Sequence, residues 1–142
     1  MVAHLIEWPP VVPERYQLIY LSRLATEASP SCVAEIVRSA RQRNQALGIG
    51  SVLVFNGGHF CQYLEGEAAA VLDLAGRIRA DRRHADFTLL HQGVLSGPPL
   101  FGGCSLVYAL CYDDSLDRLG QARGPQAVAL LADLLPTLDR EP

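Results

Sequence analysis

The chain has 142 residues, 49% of them hydrophobic and 19% charged, with a formal charge of −3. That length and composition predict one compact domain with a sizeable core, and the slight acidic excess offers no broad basic field for nucleic acid and no polybasic tract for a membrane surface. No segment approaches the ~20 apolar residues of a membrane span, and the chain does not start with a basic stretch followed by a long apolar run, so the expected location is the cytoplasm.

The opening stretch, 1–15, contains Trp8-Pro9-Pro10-Val11-Val12-Pro13. Proline lacks an amide donor and restricts the residue before it, so this stretch reads as an extension and not as a helix or central strand. A first strand is predicted over 16–22, with Leu18 and Tyr20 on one face and Ile19 and Leu21 on the other. Ser29 as N-cap, Pro30 at the first helical position and Gly48 beyond the last periodic residue bracket a helix over 30–47. Its apolar stripe is Val33, Ile36, Val37, Ala40 and Leu47. Asn44 lies inside that stripe, about 20° from Val33 around the axis at about 100° per residue. It is either a structural amide near the helix end or an amide that meets a polar group in the interior.

Runs over 51–55 and 59–64 flank Asn56-Gly57-Gly58, a hairpin signal because both Asn and Gly tolerate positive φ. Alternation puts Phe60, Gln62 and Leu64 on one face, so an amide points where Phe and Leu point. Unless the fold or a polar ligand supplies partners, burying that amide costs roughly 1–3 kcal/mol. A second helix is predicted over 68–82 with Val71, Leu74, Ala75 and Ile78 inward, and Arg77 and Asp81 share one rim of it as a solvated pair. Strands over 87–95 and 100–112, separated by Ser96-Gly97-Pro98-Pro99, complete the set. The order βαββαβ plus one strand predicts an α+β, ferredoxin-like fold: a five-stranded mixed sheet with two helices on one face. Two further helices, 113–120 and 125–138, form a C-terminal extension that would cover the other face, the second through Ala127, Leu130, Leu131, Leu134 and Leu135. The expected division is therefore 1–15, 16–112 and 113–142.

The chemistry-bearing residues form no catalytic set. Cys32, Cys61, Cys104 and Cys111 include no CxxC pair, and His4, His59, His84 and His91 lack metal-ligand spacing, so reduced packed thiols and no metal are expected. There is no nucleophile elbow, no phosphate loop and no GxGxxG. Glu65 and Asp81 could share acid–base work, but carboxylates bordering helices commonly serve helix ends. What remains is a polar trio, Tyr20, Asn44 and Gln62. Tyr20 and Gln62 should be neighbours, because the first strand of a split βαβ unit lies centrally beside the third.

Several ordered segments resemble the BLUF family, sensors of blue light using FAD. They are Tyr20-Leu21-Ser22, Ala40-Arg41-Gln42-Arg43-Asn44, Leu47-Gly48-Ile49, Asn56-Gly57, Phe60-Cys61-Gln62-Tyr63-Leu64-Glu65-Gly66 and the stretch from Arg77 to His84. The resemblance implies that Tyr20 bonds Gln62 and donates an electron to the excited flavin, and that Gln62 lies against the N5 and C4 carbonyl edge. It implies that Asn44 binds the C4 carbonyl and O2/N3 region, that Ile36 and Ile78 sandwich the ring, that Phe60 belongs to the flavin-binding set, and that Arg77, Asp81 and His84 lie near the flavin and its ribityl-phosphate end. FAD is the implied cofactor, with FMN or riboflavin as substitutes. The implied activity is photoreception and signalling, not enzymatic turnover. Without a fused catalytic domain, output would pass to a separate downstream protein, and a homodimer or higher homo-oligomer formed through the sheet face is implied.

Departures accompany the likeness. The family often carries Thr-Gly where this chain has Gly50-Ser51, a change expected to loosen the start of the second strand. Cys104 and Leu106 stand where the family usually places tryptophan and methionine, and are the candidate signal-relay positions. Arg43, beside Asn44, touches either the flavin or solvent. Two other readings stay open: a flavin-free interaction module, and a ferredoxin-like enzyme acting on a small metabolite, for which an anion-binding loop and a paired catalytic group are missing.

Overall fold

The computed structural model describes residues 14–141, so the expected extension around Trp8-Pro9-Pro10 lies outside the described residues. The elements run β1 (Arg15–Leu24), α1 (Cys32–Leu47), β2 (Gly50–Phe55), β3 (His59–Glu67), α2 (Ala68–Ala80), β4 (His84–Leu95), β5 (Val107–Leu110), α3 (Ser115–Leu119), α4 (Pro125–Leu134), a 3₁₀ turn (Leu135–Thr137) and β6 (Asp139–Glu141). They build one mixed sheet in the order β4-β1-β3-β2-β5-β6, the ferredoxin-like arrangement with β1 central beside β3. Among the described residues, no helix is long and apolar enough to cross a membrane.

The β2–β3 hairpin turns where Asn56-Gly57 predicts it, by a slightly different device. Gly57 takes positive φ (96°), while Asn56 uses its side chain, Oδ1 accepting from the N–H of Gly58 at 3.0 Å and of His59 at 2.7 Å. At the end of α1, Gly48 adopts the left-handed conformation (φ 68°) and donates back to the last turn, which stops the helix where glycine alone is unstrained.

Alternation along the strands divides the core. On one face, Ile19, Val52, Val54, Cys61, Tyr63 and Ala109 pack with Leu116, Leu119, Ala127 and Leu131 of α3 and α4 as a single cluster. On the other face the apolar residues fall into two clusters. Leu18, Tyr20 and Leu64 pack under α2 through Val71, Leu74, Ala75 and Ile78. Leu53, Phe55, Phe60 and Leu106 pack under α1 through Val33, Val37 and Ala40.

Four expectations are corrected. The sheet has six strands and not five, because Asp139–Glu141 pairs antiparallel with β5; all three residues are exposed, so no burial alternation marks them as a strand. The fifth strand is confined to Val107–Leu110, since Gly102 and Gly103 take positive φ (74° and 69°) and turn the preceding segment away from extended pairing. Helix α1 starts at Cys32 after Ser31, not at Pro30, because the turn bonds Cys32 N–H to Ser29 O and Val33 N–H to Pro30 O precede it. Arg77 pairs with Asp73 at 3.0 Å and not with Asp81. Helix α2 ends at Ala80, and Asp81 is extended (ψ 126°), so the i,i+4 geometry toward Asp81 does not exist. Helices α3 and α4 pack on the sheet face opposite α1 and α2.

Candidate functional site

Two of the expected trio meet on the α1/α2 side of the sheet. Tyr20 and Gln62 are direct cross-strand partners in the β1–β3 ladder. The Tyr20 hydroxyl donates to Gln62 Oε1 at 2.5 Å, with Tyr20 fully buried and Gln62 4% exposed. Burial pushes the Tyr20 phenol well above its ordinary range, an effect that nearby Arg43 opposes. Tyr20 therefore holds its proton at neutral pH, and the bond to the amide oxygen defines where that proton can go. Behind it, burial pushes the Cys61 thiol up to about 12, so this cysteine is inert.

Asn44 completes the trio from α1, fully buried. Its Nδ2 donates to Ser51 Oγ at 3.0 Å and to the Ser105 carbonyl at 2.9 Å, whereas its Oδ1 is buried without a partner. The neighbouring Arg43 Nε is buried and unpartnered as well. Burial, reinforced by Arg77 and Arg83, lowers the affinity of the Arg43 guanidinium for its proton. Both orphaned atoms face the cost of an unmade hydrogen bond, about 1–3 kcal/mol each.

The apolar walls come from the two helices. Ile36 is half-buried in the α1 cluster and Ile78 is buried in the α2 cluster, with Phe60 fully buried on the strand between them. His84 closes one end: it shares a 2.8 Å hydrogen bond with Ser22 Oγ, and its ring lies 4.8 Å from that of Phe60 and 6.3 Å from that of Tyr20. Burial holds its imidazole below the usual histidine value, a shift that Asp81 opposes. Asp81 is gripped by Arg83 through paired bonds of 3.1 and 2.6 Å, which holds its carboxyl below the usual range. Arg77 lies in an exposed pair with Asp73 at 3.0 Å. Clefts of about 520 and 340 Å³ open on the outer flanks of α1 and α2 and are lined by other side chains.

The relay candidates diverge. Leu106 is 3% exposed and packs with Phe60 and Leu53 beneath α1. Cys104 is exposed, its thiol reaching the Leu106 carbonyl at 3.5 Å. Nor is the start of β2 loosened: Ser51 is 3% exposed and bonds both the 104 and 105 carbonyls. Three contributors escaped the sequence reading. Phe87 stacks on Tyr20 at 4.5 Å, and the Arg79 guanidinium lies over the Phe87 ring at 5.7 Å. Ser22 follows Tyr20 by one alternation and so shares its face. Ser51 was visible only as part of the Gly50-Ser51 departure from the family pattern, with no role attached.

The fit to a flavin rests on the split cluster and its orphans. A flat heteroaromatic ring presents apolar faces and a polar rim. Two apolar helices flank the seam, and Asn44 Oδ1 is an acceptor in want of an N–H donor.

Comparisons with known proteins agree. The model of sensors of blue light using FAD matches residues 16–101. Photoactivated adenylate cyclase subunit beta of Euglena gracilis is 38% identical over 78 residues, 55% of this chain and 9% of that protein, so the likeness spans a small part of that relative. The dark-state structure of BlrB, a BLUF protein, superposes with a TM-score of 0.74 at 29% identity, covering 89% of this chain and 98% of that one. The photo-activated state of BlsA shares the fold, with a TM-score of 0.75 at 22% identity over 90% of this chain and 99% of that one. With residues 16–101, more than half of its length, matched by that family model, the chain belongs to the BLUF family of blue-light sensors using FAD.

Proposed function

We propose that this protein is a light-driven hydrogen-bond switch in which Tyr20 and Gln62 respond to a flavin held in the seam between α1 and α2. Residues 16–112 form the flavin-binding unit and 113–142 the extension that receives the response. The 2.5 Å contact between the buried Tyr20 hydroxyl and Gln62 Oε1, together with the orphaned Asn44 Oδ1, carries this reading.

Ile36 and Ile78 would hold the ring between them with Phe60, Asn44 Oδ1 would accept from its N–H edge, and Arg77, Asp81 and His84 would serve the ribityl-phosphate end. FAD is the flavin proposed, with FMN and riboflavin able to fill the same slot. When bound, the flavin absorbs blue light and accepts an electron. Tyr20 gives up that electron while its phenolic proton moves along the existing bond toward Gln62. Gln62 then reorients or tautomerises, since one end of an amide accepts and the other donates, and so presents a donor to the C4 carbonyl edge. Electron and proton return to Tyr20, so nothing is consumed and the reporting state is a hydrogen-bond pattern that decays thermally.

A separate protein, reached through noncovalent contacts in the cytoplasm, and self-association into a homodimer or higher oligomer are part of the same proposal. Either is a way to read two conformations of unequal affinity. Tyr20→Phe removes only the hydroxyl. The variant should remain yellow and lose the reversible red shift under blue light; an unchanged photocycle would sink the assignment. A colourless wild type that cannot be loaded with FAD would instead support a flavin-free interaction module, the reading favoured by an exposed Cys104 at the relay position.

A further inference from the structure

The Asn44 amide is oriented before any ligand arrives. The Ser105 carbonyl can only accept, and it lies 2.9 Å from one end of the amide, so the end facing it is the nitrogen. The second Nδ2 hydrogen meets Ser51 Oγ at 3.0 Å. The Ser51 hydroxyl closes the triangle by donating to the same carbonyl at 2.6 Å. With both N–H donors engaged, Oδ1 is fixed as a pure acceptor, buried and unpartnered.

Ser51 adds a second constraint to this orientation. It lies in β2, a strand buried along its whole length, where a hydroxyl without partners is costly. Its backbone N–H donates to the Cys104 carbonyl at 3.0 Å, so one residue holds two consecutive carbonyls of the segment that enters β5. The next residue, Leu106, is wedged with Phe60, Leu53 and Val37 in the α1 cluster.

We propose that Ser51 is a positioning residue with two linked tasks: it aims the Asn44 carbonyl oxygen at an imide-type N–H of a bound heterocycle, and it ties that amide to the Cys104–Leu106 segment. The identity of the heterocycle rests on the flavin reading above; the aiming does not. A pull on Oδ1 is transmitted through Nδ2 to the Ser105 carbonyl and from there to Leu106, which can shift only by repacking its neighbours. Backbone and amide thereby supply a link that the exposed Cys104 side chain does not.

The test uses the full chain in the dark, with Ser51→Ala removing the hydroxyl and Ser51→Thr keeping it. Without flavin, the Asn44 side-chain amide protons should exchange slowly with water in the wild type and in Ser51→Thr, and about tenfold faster in Ser51→Ala, the loss of about one hydrogen bond. With FAD added, affinity should fall about tenfold in Ser51→Ala and recover in Ser51→Thr. The backbone amide signals of Cys104 to Leu106 should move on FAD addition in the wild type and stay still in Ser51→Ala. Should the alanine variant not fold, Ser51→Cys keeps the volume with a weak donor and acceptor and takes its place. Equal Asn44 exchange rates in wild type and variant overturn the proposal, as do Cys104 to Leu106 shifts of undiminished size. A wild type that fails to bind FAD sinks the flavin reading instead, and the exchange rates measured without flavin still decide the task of Ser51.

Discussion

On the α3/α4 side of the sheet, Ile19, Val54, Cys61 and Leu131 belong to one continuous apolar cluster, whereas the α1/α2 side is divided between a cluster under each helix. Polar groups are treated differently on the two sides as well. Glu65, 4% exposed at the margin of the continuous face, accepts from the Tyr63 hydroxyl at 2.9 Å, from the Leu100 N–H at 3.0 Å and from Arg15 at 3.3 Å. Asn44 Oδ1 and Arg43 Nε on the divided side have no partner. The same strands thus build a finished interior on one side and an unfinished one on the other. A seam with orphaned polar atoms is what a protein retains for a ligand; a satisfied network is what it retains for stability.

The largest effect should come from opening the finished side. Leu131→Ala, at a fully buried position, should cost about 2–5 kcal/mol of unfolding free energy in urea while leaving flavin content per folded molecule unchanged; a parallel loss of flavin would break the contrast between the sides. Next, Glu65→Ala strands the Leu100 N–H and leaves the Tyr63 hydroxyl only the Gln17 Oε1 acceptor at 3.2 Å, and should cost about 1–3 kcal/mol. Asn44→Ala removes a group whose oxygen is already unpartnered, so it should cost the flavin-free protein less than Glu65→Ala and reduce flavin affinity by about tenfold or more. The opposite ranking in urea would mean that Asn44 is structural.

A smaller effect concerns pH. Burial holds folded His84 below its ordinary value of 6.5, so the unfolded chain takes up the proton first as pH falls. The contribution is complete above about 6.5 and is lost progressively below it, levelling once folded His84 is also protonated. Thermal unfolding between about pH 7.5 and pH 5.5 should show a shallower decline in His84→Gln than in the wild type; equal slopes would remove His84 from the account. The smallest effect is expected at Arg77, whose pair with Asp73 is exposed on both partners. Arg77→Ala should change stability by less than about 0.5 kcal/mol.

The polar trio was legible because strand alternation and helix periodicity both report which face a side chain occupies, and Tyr20, Gln62 and Asn44 each broke an apolar pattern. The placement of Tyr20 beside Gln62 followed from the split βαβ order. What was not legible depends on contacts far away in the chain. Asp139, Arg140 and Glu141 form a strand only because β5 offers them a backbone partner, and three exposed charged residues carry no mark of that. The partner of Arg77 depended on where α2 stops, and nothing in Ala80-Asp81 distinguishes one more turn from an extended exit. Ser51 gains its meaning from Ser105, a residue on the far side of three intervening elements. Phe87 reaches Tyr20 through the β1–β4 pairing, whose register shifts twice along its length and defeats simple alternation.

Tyr20 and Gln62 were described as direct partners in the β1–β3 ladder. A shift of that ladder by one residue would turn every side chain of one strand to the other face. Aiming the switch is therefore not a separate task from folding the sheet: the apolar alternation that chooses the register also chooses which hydroxyl meets which amide. Deleting one residue from the middle of β1 would set Ile19 or Leu21 against Gln62 while leaving each helix intact. Such a variant could keep its secondary structure and still be blind.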